Sequence, residues 1–300
     1  MKKGIIYTTI VIGSLVSTAC TKEIEVDLEQ QEPRVVVMSC VEPDADVALK
    51  LSYSRFFLST EPFQTIDDAR VTLTVNGGTE MEATCLGEGQ YNIGYRPQAG
   101  DRLSLAVGVP GQRNVTATTI VPPPPVVANV SEDKNNSEFK VRFTLVDPAE
   151  EDNYYMVRVV SEYHSNSGST NRYYCDFHCQ DYLLVDNTDL GRIIDSEGDE
   201  LDEWYGRTLA FSDENINGTS HELTLNVTDV ARNALYYLEL TSCTRDRYLF
   251  EVTSDLYDDD PFLNLFAEPV QIHTNIDGGI GIFAARNRMV IPLFIEPHNE

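Results

Sequence analysis

Two cysteines flank a histidine in the stretch Cys175-Asp176-Phe177-His178-Cys179. Two thiolates and an imidazole could supply part of a zinc site, and His164 is the nearest candidate for a fourth ligand. In an exported chain the same cysteines favour a local disulfide between Cys175 and Cys179, and pairing with another cysteine is a third alternative. The spacing is not Cys-x-x-Cys, which disfavours redox catalysis.

An acidic stretch further along the chain has the ligand types that calcium prefers. Its pattern does not match an EF-hand loop, because Glu200 stands where that loop needs glycine and Gly206 where it needs glutamate. We therefore expect a solvated loop rather than a calcium site, and we predict no metal ligands. The acidic side chains are Asp195, Glu197, Asp199, Asp202 and Glu203.

No pattern of a known catalytic centre is present. Gly-x-Ser-x-Gly, His-Glu-x-x-His and Walker patterns are all missing from the sequence. The chain has 48 acidic residues, so pairs of carboxylates arise by chance and are weak indicators of glycoside hydrolysis. We predict a non-enzymatic protein with no catalytic residue and no cofactor.

Aromatic residues are frequent between positions 163 and 205. A ring with an apolar body and a polar tip suits a contact surface, although packing in a core is the alternative for each of these side chains. The sequence predicts a contact surface made by Tyr163, Tyr173, Tyr174, Phe177, Tyr182, Trp204 and Tyr205.

The N-terminal segment has the order of a lipoprotein signal peptide. Lys2 and Lys3 precede an apolar stretch over residues 5–16, which is too short to span a bilayer. Small residues then lead into a cysteine in Ser17-Thr18-Ala19-Cys20, with serine where leucine is usual. We predict a signal peptide over residues 1–19 and lipidation of Cys20; an ordinary cleaved signal followed by a free cysteine is the alternative.

The segment over residues 20–32 is predicted to be a lipidated acidic tether. It resembles the lysine-plus-acidic signals that direct some Gram-negative lipoproteins to the cell surface, and the surface and periplasmic faces remain alternatives. The formal charge of −26 becomes −28 when Lys2 and Lys3 are removed with the signal peptide. This excess opposes binding to nucleic acid or to anionic headgroups.

Alternating apolar residues predict an all-β fold with two sandwich-like domains. Val47, Leu49 and Leu51 alternate with polar neighbours, as do Phe139, Val141, Phe143 and Leu145 later in the chain. Short strands at this spacing predict an immunoglobulin-like or prealbumin-like sandwich over residues 33–121, a proline linker at 122–125 and a β-rich domain over 126–300. One short helix is predicted over residues 245–257, where apolar residues follow helical spacing.

The tail and several earlier motifs resemble lipoproteins that carry domain of unknown function 4249. The matching residues are the leader with Cys20, Glu32-Pro33-Arg34-Val35, Ile66-Asp67-Asp68-Ala69-Arg70-Val71, and Glu268-Pro269-Val270 through Asn275, Gly278-Gly279, Gly281 and Phe283. A phosphate cradle at these glycines would need a following helix, so a structural bend is favoured.

The resemblance implies that the gene lies beside that of a TonB-dependent transporter, in a SusC/SusD-type nutrient locus of a Gram-negative bacterium. The family has no established catalytic residue that could be assigned to this chain. Our leading hypothesis is an outer-membrane lipoprotein that serves as a non-enzymatic accessory or binding module of TonB-dependent uptake. A structural or adhesive surface lipoprotein is the alternative, and a metal-dependent enzyme is the third.

Overall fold

A computed structural model describes residues 32–56, 59–135, 138–164, 169–185, 204–228, 230, 234–258 and 271–293. The predicted lipidation site Cys20 and the acidic residues between 195 and 203 lie outside these ranges. Contacts between Cα atoms divide the chain into Met1–Glu32 and Pro33–Glu300, and the second unit contains every described strand and helix.

The predicted all-β class is confirmed, and the predicted helix near the C-terminus is present over Arg245–Asp258. Some consecutive strands are joined by short turns, such as the Asn76-Gly77 turn between β3 (Arg70–Val75) and β4 (Glu80–Glu82). The elements are β1 (Val35–Val41), β2 (Val47–Tyr53), β3 (Arg70–Val75), β4 (Glu80–Glu82), β5 (Thr84–Gly87), β6 (Gln90–Ile93), β7 (Arg102–Gly108), β8 (Val115–Ile120), β9 (Val126–Asn135), β10 (Glu138–Val146), β11 (Tyr154–His164), β12 (Thr170–Tyr174), β13 (Phe177–Cys179), α1 (Tyr182–Val185), β14 (Trp204–Gly206), β15 (Leu209–Ser212), β16 (Ser220–Val227), β17 (Leu235–Cys243), α2 (Arg245–Asp258) and β18 (Ile280–Leu293).

The described strands form three sheets. A nine-stranded sheet has the order β12-β11-β17-β18-β1-β2-β6-β5, and β15 also pairs with β11. A five-stranded sheet has the order β14-β13-β16-β10-β9, and a four-stranded sheet has the order β4-β3-β7-β8. The large sheet therefore contains strands from both ends of the chain.

Two hydrophobic cores lie in this unit. The first contains Val37 and Leu51 from the large sheet with Leu73 and Leu105 from the four-stranded sheet. The second contains strands β11 and β17 of the large sheet together with β10, β13 and β16 of the five-stranded sheet. Alternate side chains of each strand enter a core, which is the arrangement that a sandwich requires.

Strand β18 belongs to both halves of the large sheet. Its residues 280–285 pair with β1 in parallel, and residues 286–293 pair with β17 in an antiparallel register. The prolines at 122–125 do lie between β8 of the first core and β9 of the five-stranded sheet. The division into domains at 33–121 and 126–300 stays a prediction. The C-terminal strand β18 lies next to β1 in the large sheet, so this sheet contains strands from both predicted domains.

The start of β18 is held in place by Asn275. The Asn275 amide donates a hydrogen bond to the carbonyl oxygen of Phe283 at 2.8 Å and to the Asp246 carboxylate at 3.1 Å, and its oxygen accepts one from the Phe283 N–H at 3.0 Å. These contacts connect the segment before β18 both to the strand itself and to helix α2.

The glycines of the tail allow β18 to approach β1 closely. Gly281 has φ of +106°, and a Cβ built on it would lie 2.1 Å from the Val37 carbonyl oxygen. A Cβ on Gly279 would lie 2.7 Å from the Val35 carbonyl oxygen. A strand follows these glycines rather than a helix, so their role in the structure is close backbone approach.

Replacement of Gly281 by alanine should destabilise the protein strongly, because the backbone conformation and the contact with Val37 are both unfavourable. We expect Gly281→Ala to lower the free energy of unfolding by about 3 kcal/mol or more in urea titrations followed by circular dichroism. Gly100→Ala is the matched control, since Gly100 has φ of +90° but open space around its Cβ position. Its cost should be about 1 kcal/mol, and equal losses for both variants would contradict the close approach.

Candidate binding face

Helix α2 packs on the outer face of the large sheet. The Thr244 side chain precedes the helix and accepts a hydrogen bond from the Arg247 N–H at 3.4 Å, as an N-cap does. Tyr248, Leu249 and Val252 of the helix form a hydrophobic cluster with Met156 of β11 and Cys243 of β17. Because Met156 alternates with the core residues of β11, this contact lies on the sheet face opposite the second core.

Buried charges lie beneath the helix. The Arg158 guanidinium on β11 contacts the Glu251 carboxylate at 2.6 Å and the Glu239 carboxylate at 3.8 Å. Their side chains are 11%, 15% and 6% exposed. Arg247 also binds Glu251 one helical turn earlier. Each buried carboxylate therefore has an arginine partner, which offsets the cost of removing its charge from water.

The same network continues along the large sheet to the first core. Arg288 on β18 contacts Glu239 at 3.2 Å and Glu42 at 3.7 Å, and Arg286 also binds Glu42, which follows β1. The network therefore spans β11, β17, β18 and the end of β1. It fixes the orientation of helix α2 and of the arginines on the outer face of the sheet.

Strand β12 forms one edge of the large sheet and is exposed along its whole length. Tyr173 and Tyr174 are 58% and 50% exposed, and the ring of Tyr163 contacts that of Tyr173 edge-on at 5.8 Å. The Arg158 guanidinium lies 4.9 Å from the ring centre of Tyr174, where a cation–π contact is favourable. These three tyrosines are the part of the predicted contact surface that the structure brings together.

A shallow cleft of about 150 Å³ lies beside these tyrosines. Two arginines at its rim are accessible, since Arg172 and Arg288 have 63% and 38% of their side chains exposed. The carboxylates that bind them, Glu162 and Glu239, are only 8% and 6% exposed. The accessible charge here is thus positive, although the whole chain is strongly acidic. The cleft is lined by Val160, Arg172, Tyr173, Tyr174, Tyr237, Glu239, Arg288 and Val290.

The other predicted contact residues lie elsewhere. Trp204 and Tyr205 are on β14, at an edge of the five-stranded sheet, where Tyr205 is 57% exposed and its ring lies 4.5 Å from that of His178. The prediction for Phe177 is wrong: its side chain is fully buried in the second core, with its ring 4.9 Å from that of Trp204. The side chain of Tyr182 lies outside the described part of the chain.

Sequence reasoning missed the residues that complete the cleft. Tyr237 and Glu239 alternate with buried Leu238 and Leu240 on β17, so they occupy the outer face of the sheet. This alternation was a readable indication of an outward-facing polar pair. The position of Arg288 depends on the pairing of β18 with β17, which no local pattern predicts.

In the structure the side chain of Cys175 is half-buried and that of Cys179 is buried. Burial raises the pKa of the Cys175 thiol, which lowers its reactivity at neutral pH. Their disulfide stays a prediction. Among the described residues, which include His164 and His178, no group of three or more His, Cys, Asp or Glu side chains is arranged to hold a metal ion.

These features define a β-sandwich protein with a helix and an ion-pair network on one face of the large sheet and with exposed tyrosines at its β12 edge. The chain belongs to the family described as a domain of unknown function (DUF4249), whose model matches residues 21–290. A comparison with curated proteins finds no match. In the described ranges, no helix has the length and apolar character needed to cross a membrane.

Removal of one carboxylate from the buried network should be costly. Glu239→Gln keeps the side-chain shape but removes one of the two carboxylate partners of Arg158 and of Arg288, which keep only Glu251 and Glu42 respectively. We therefore expect a loss of about 2 kcal/mol in the free energy of unfolding. Urea titration provides the measurement.

Glu80→Gln is the matched control for that substitution. Glu80 pairs with Arg70 at 3.0 Å, but both side chains are more than half exposed. Water screens such a pair, so its loss should cost less than about 1 kcal/mol. Equal small effects for Glu239→Gln and Glu80→Gln would show that the network does not stabilise the fold.

Proposed function

We propose that this protein is an outer-membrane lipoprotein, anchored through Cys20, that acts as a non-enzymatic binding module of a TonB-dependent nutrient uptake system. The leader sequence supports the anchor, since small residues lead directly into Cys20. The chain belongs to the family, and the location beside TonB-dependent transporters that the resemblance to its lipoproteins implies supports the partner. The membrane face stays open between the cell surface and the periplasm.

The observation that carries the proposal is the exposed β12 edge with Tyr163, Tyr173 and Tyr174 beside Arg172. Tyrosine and arginine are the residue types that contribute most to protein interfaces. The arginines of this face are already oriented by buried carboxylates, so a partner would lose little side-chain entropy when it binds them. We propose that the transporter contacts this tyrosine edge.

A structural or adhesive surface lipoprotein is the second candidate, and a specific observation favours it. Strand β5 is an edge of the large sheet in the first half of the chain, and its Leu86 side chain is 68% exposed. An exposed edge with an apolar side chain can add a strand from another chain. This function requires polymers or contact with a foreign surface, and it places the contact at β5 rather than at β12.

Loss of the two exposed tyrosines should release the transporter. The native lipoprotein and the double variant Tyr173→Ser and Tyr174→Ser are each purified from the membranes of cells that express them, and the TonB-dependent outer-membrane transporter that copurifies is quantified by mass spectrometry. We expect at least about tenfold less transporter with the double variant than with the native lipoprotein.

Phe63→Ser is the matched control, since Phe63 is 62% exposed on a different part of the surface. Each variant should incorporate labelled palmitate as the wild type does, and Cys20→Ala should lose both the label and the membrane association. The proposal is wrong if the native protein never recovers such a transporter, or if the tyrosine variant recovers as much as Phe63→Ser.

A further inference from the structure

A second and larger cleft lies on the other side of β18 from the tyrosine edge, in the direction of β1, β2 and β6. Its volume is about 350 Å³, and helix α2 forms one wall. The cleft is lined by Met38, Ser39, Cys40, Ala48, Leu49, Lys50, Gln90, Arg247, Phe250 and Ile282. None of these residues is part of the contact surface proposed for the transporter.

The charged groups that line this cleft are all cations. Lys50 is exposed at the surface of β2, and Arg247 projects from the first turn of helix α2. The Cys40 thiol is neutral at pH 7, because desolvation raises its pKa. No carboxylate lines the cleft, although the chain has 48 acidic residues and 22 lysines and arginines. The cleft therefore favours a negatively charged group.

Arg247 has hydrogen-bonding capacity that the described part of the protein does not use. Its Nη2 atom binds the Glu251 carboxylate, but its Nε atom is buried without a hydrogen-bond partner among the described residues. A buried donor without an acceptor costs about 1–3 kcal/mol. A ligand acceptor that reached this guanidinium after a small side-chain rotation would recover part of that cost.

The remaining walls are mainly apolar. Met38 is 41% exposed on the outer face of β1, and Phe250 and Ile282 lie beside it. Methionine adapts its shape to different apolar partners, and an exposed methionine next to an aromatic ring is a common element of binding surfaces. Inorganic phosphate would leave this apolar surface uncovered, and a metal ion would be repelled by Lys50 and Arg247.

We propose that this cleft binds an amphiphilic monocarboxylate, with the carboxylate at Lys50 and Arg247 and the hydrocarbon chain on Met38, Phe250 and Ile282. This inference goes beyond the proposed function, because it requires neither the transporter nor the tyrosine edge. It assigns a ligand class to a surface that binds through both charge and apolar contact.

Methyl NMR of the chain from residue 20 with Cys20→Ala tests the site directly. Every described strand and helix is retained in this chain, since all of them lie in Pro33–Glu300. With ¹³C-methyl methionine, titration with octanoate below its micelle-forming concentration should shift the Met38 resonance in a saturable way. The Met81 and Met289 resonances should not move, and 1-octanol and acetate should each bind at least about tenfold more weakly.

Variants separate the charge from the apolar wall. Lys50→Gln should weaken octanoate binding about threefold to fivefold, as expected for one exposed charge pair. Met38→Glu places a carboxylate in the cleft and should weaken binding more than tenfold, measured by calorimetry. Met38→Leu assigns the resonance and should retain binding.

Two control variants make the same kinds of charge change, one added carboxylate and one removed cation, at positions outside the cleft. Ile120→Glu adds a carboxylate at an exposed apolar site of the four-stranded sheet, and Arg96→Gln removes a cation whose side chain is 71% exposed. Both should bind octanoate as the parent chain does. The proposal is overturned if octanoate does not shift Met38, if 1-octanol binds equally well, or if Ile120→Glu weakens binding as much as Met38→Glu.

Discussion

The pairing of β18 with β1 is the contact on which the rest of the structure depends. One strand of 14 residues contributes first to the parallel pairing with β1 and then to the antiparallel pairing with β17. Both cores receive side chains from it, including Phe283 in the first and Leu293 in the second. Without this strand the large sheet would separate into two edges with unpaired backbone groups.

The outer face of this sheet concentrates the cations of a very acidic protein. Arg158 lies on β11, and Arg286 and Arg288 lie on β18, with β17 between the two strands. The glutamates that bind these arginines have side chains that are 22% exposed or less. Because the carboxylates are inside and several guanidinium groups are accessible, the face differs in sign from the chain as a whole. The apolar cleft lies on this face beside helix α2, and Tyr174 of the tyrosine edge contacts Arg158 on the same face.

Local pattern was sufficient for much of the fold. The alternation in β2 and β10 and the helical spacing over residues 245–257 are properties of neighbouring residues, and the structure confirms both. The parallel pairing of Val36 with Ile280 joins residues more than 200 positions apart. Periodicity predicts that such strands exist, but it contains no information about their partners.

The candidate site shows the same limit. Tyr173 and Tyr174 were accessible to sequence reasoning because they stand together in a polar, aromatic segment. Phe177 was misassigned because aromatic composition does not distinguish the two faces of a strand, and the pairing of β13 with β16 places it in the core. Tyr237 and Arg288 come from distant strands, so only the sheet topology brings them to the cleft.

Native-state hydrogen exchange measures most directly whether β18 unites the two cores. If β18 unites the cores, the slowest amides of β2, in the first half of the large sheet, and those of β17, in the second, should exchange through a single global opening with the same free energy and the same dependence on denaturant. Exchange of the β2 amides through a separate opening of clearly lower free energy, while β17 remained protected, would show that the two halves are independent and that β18 does not unite them.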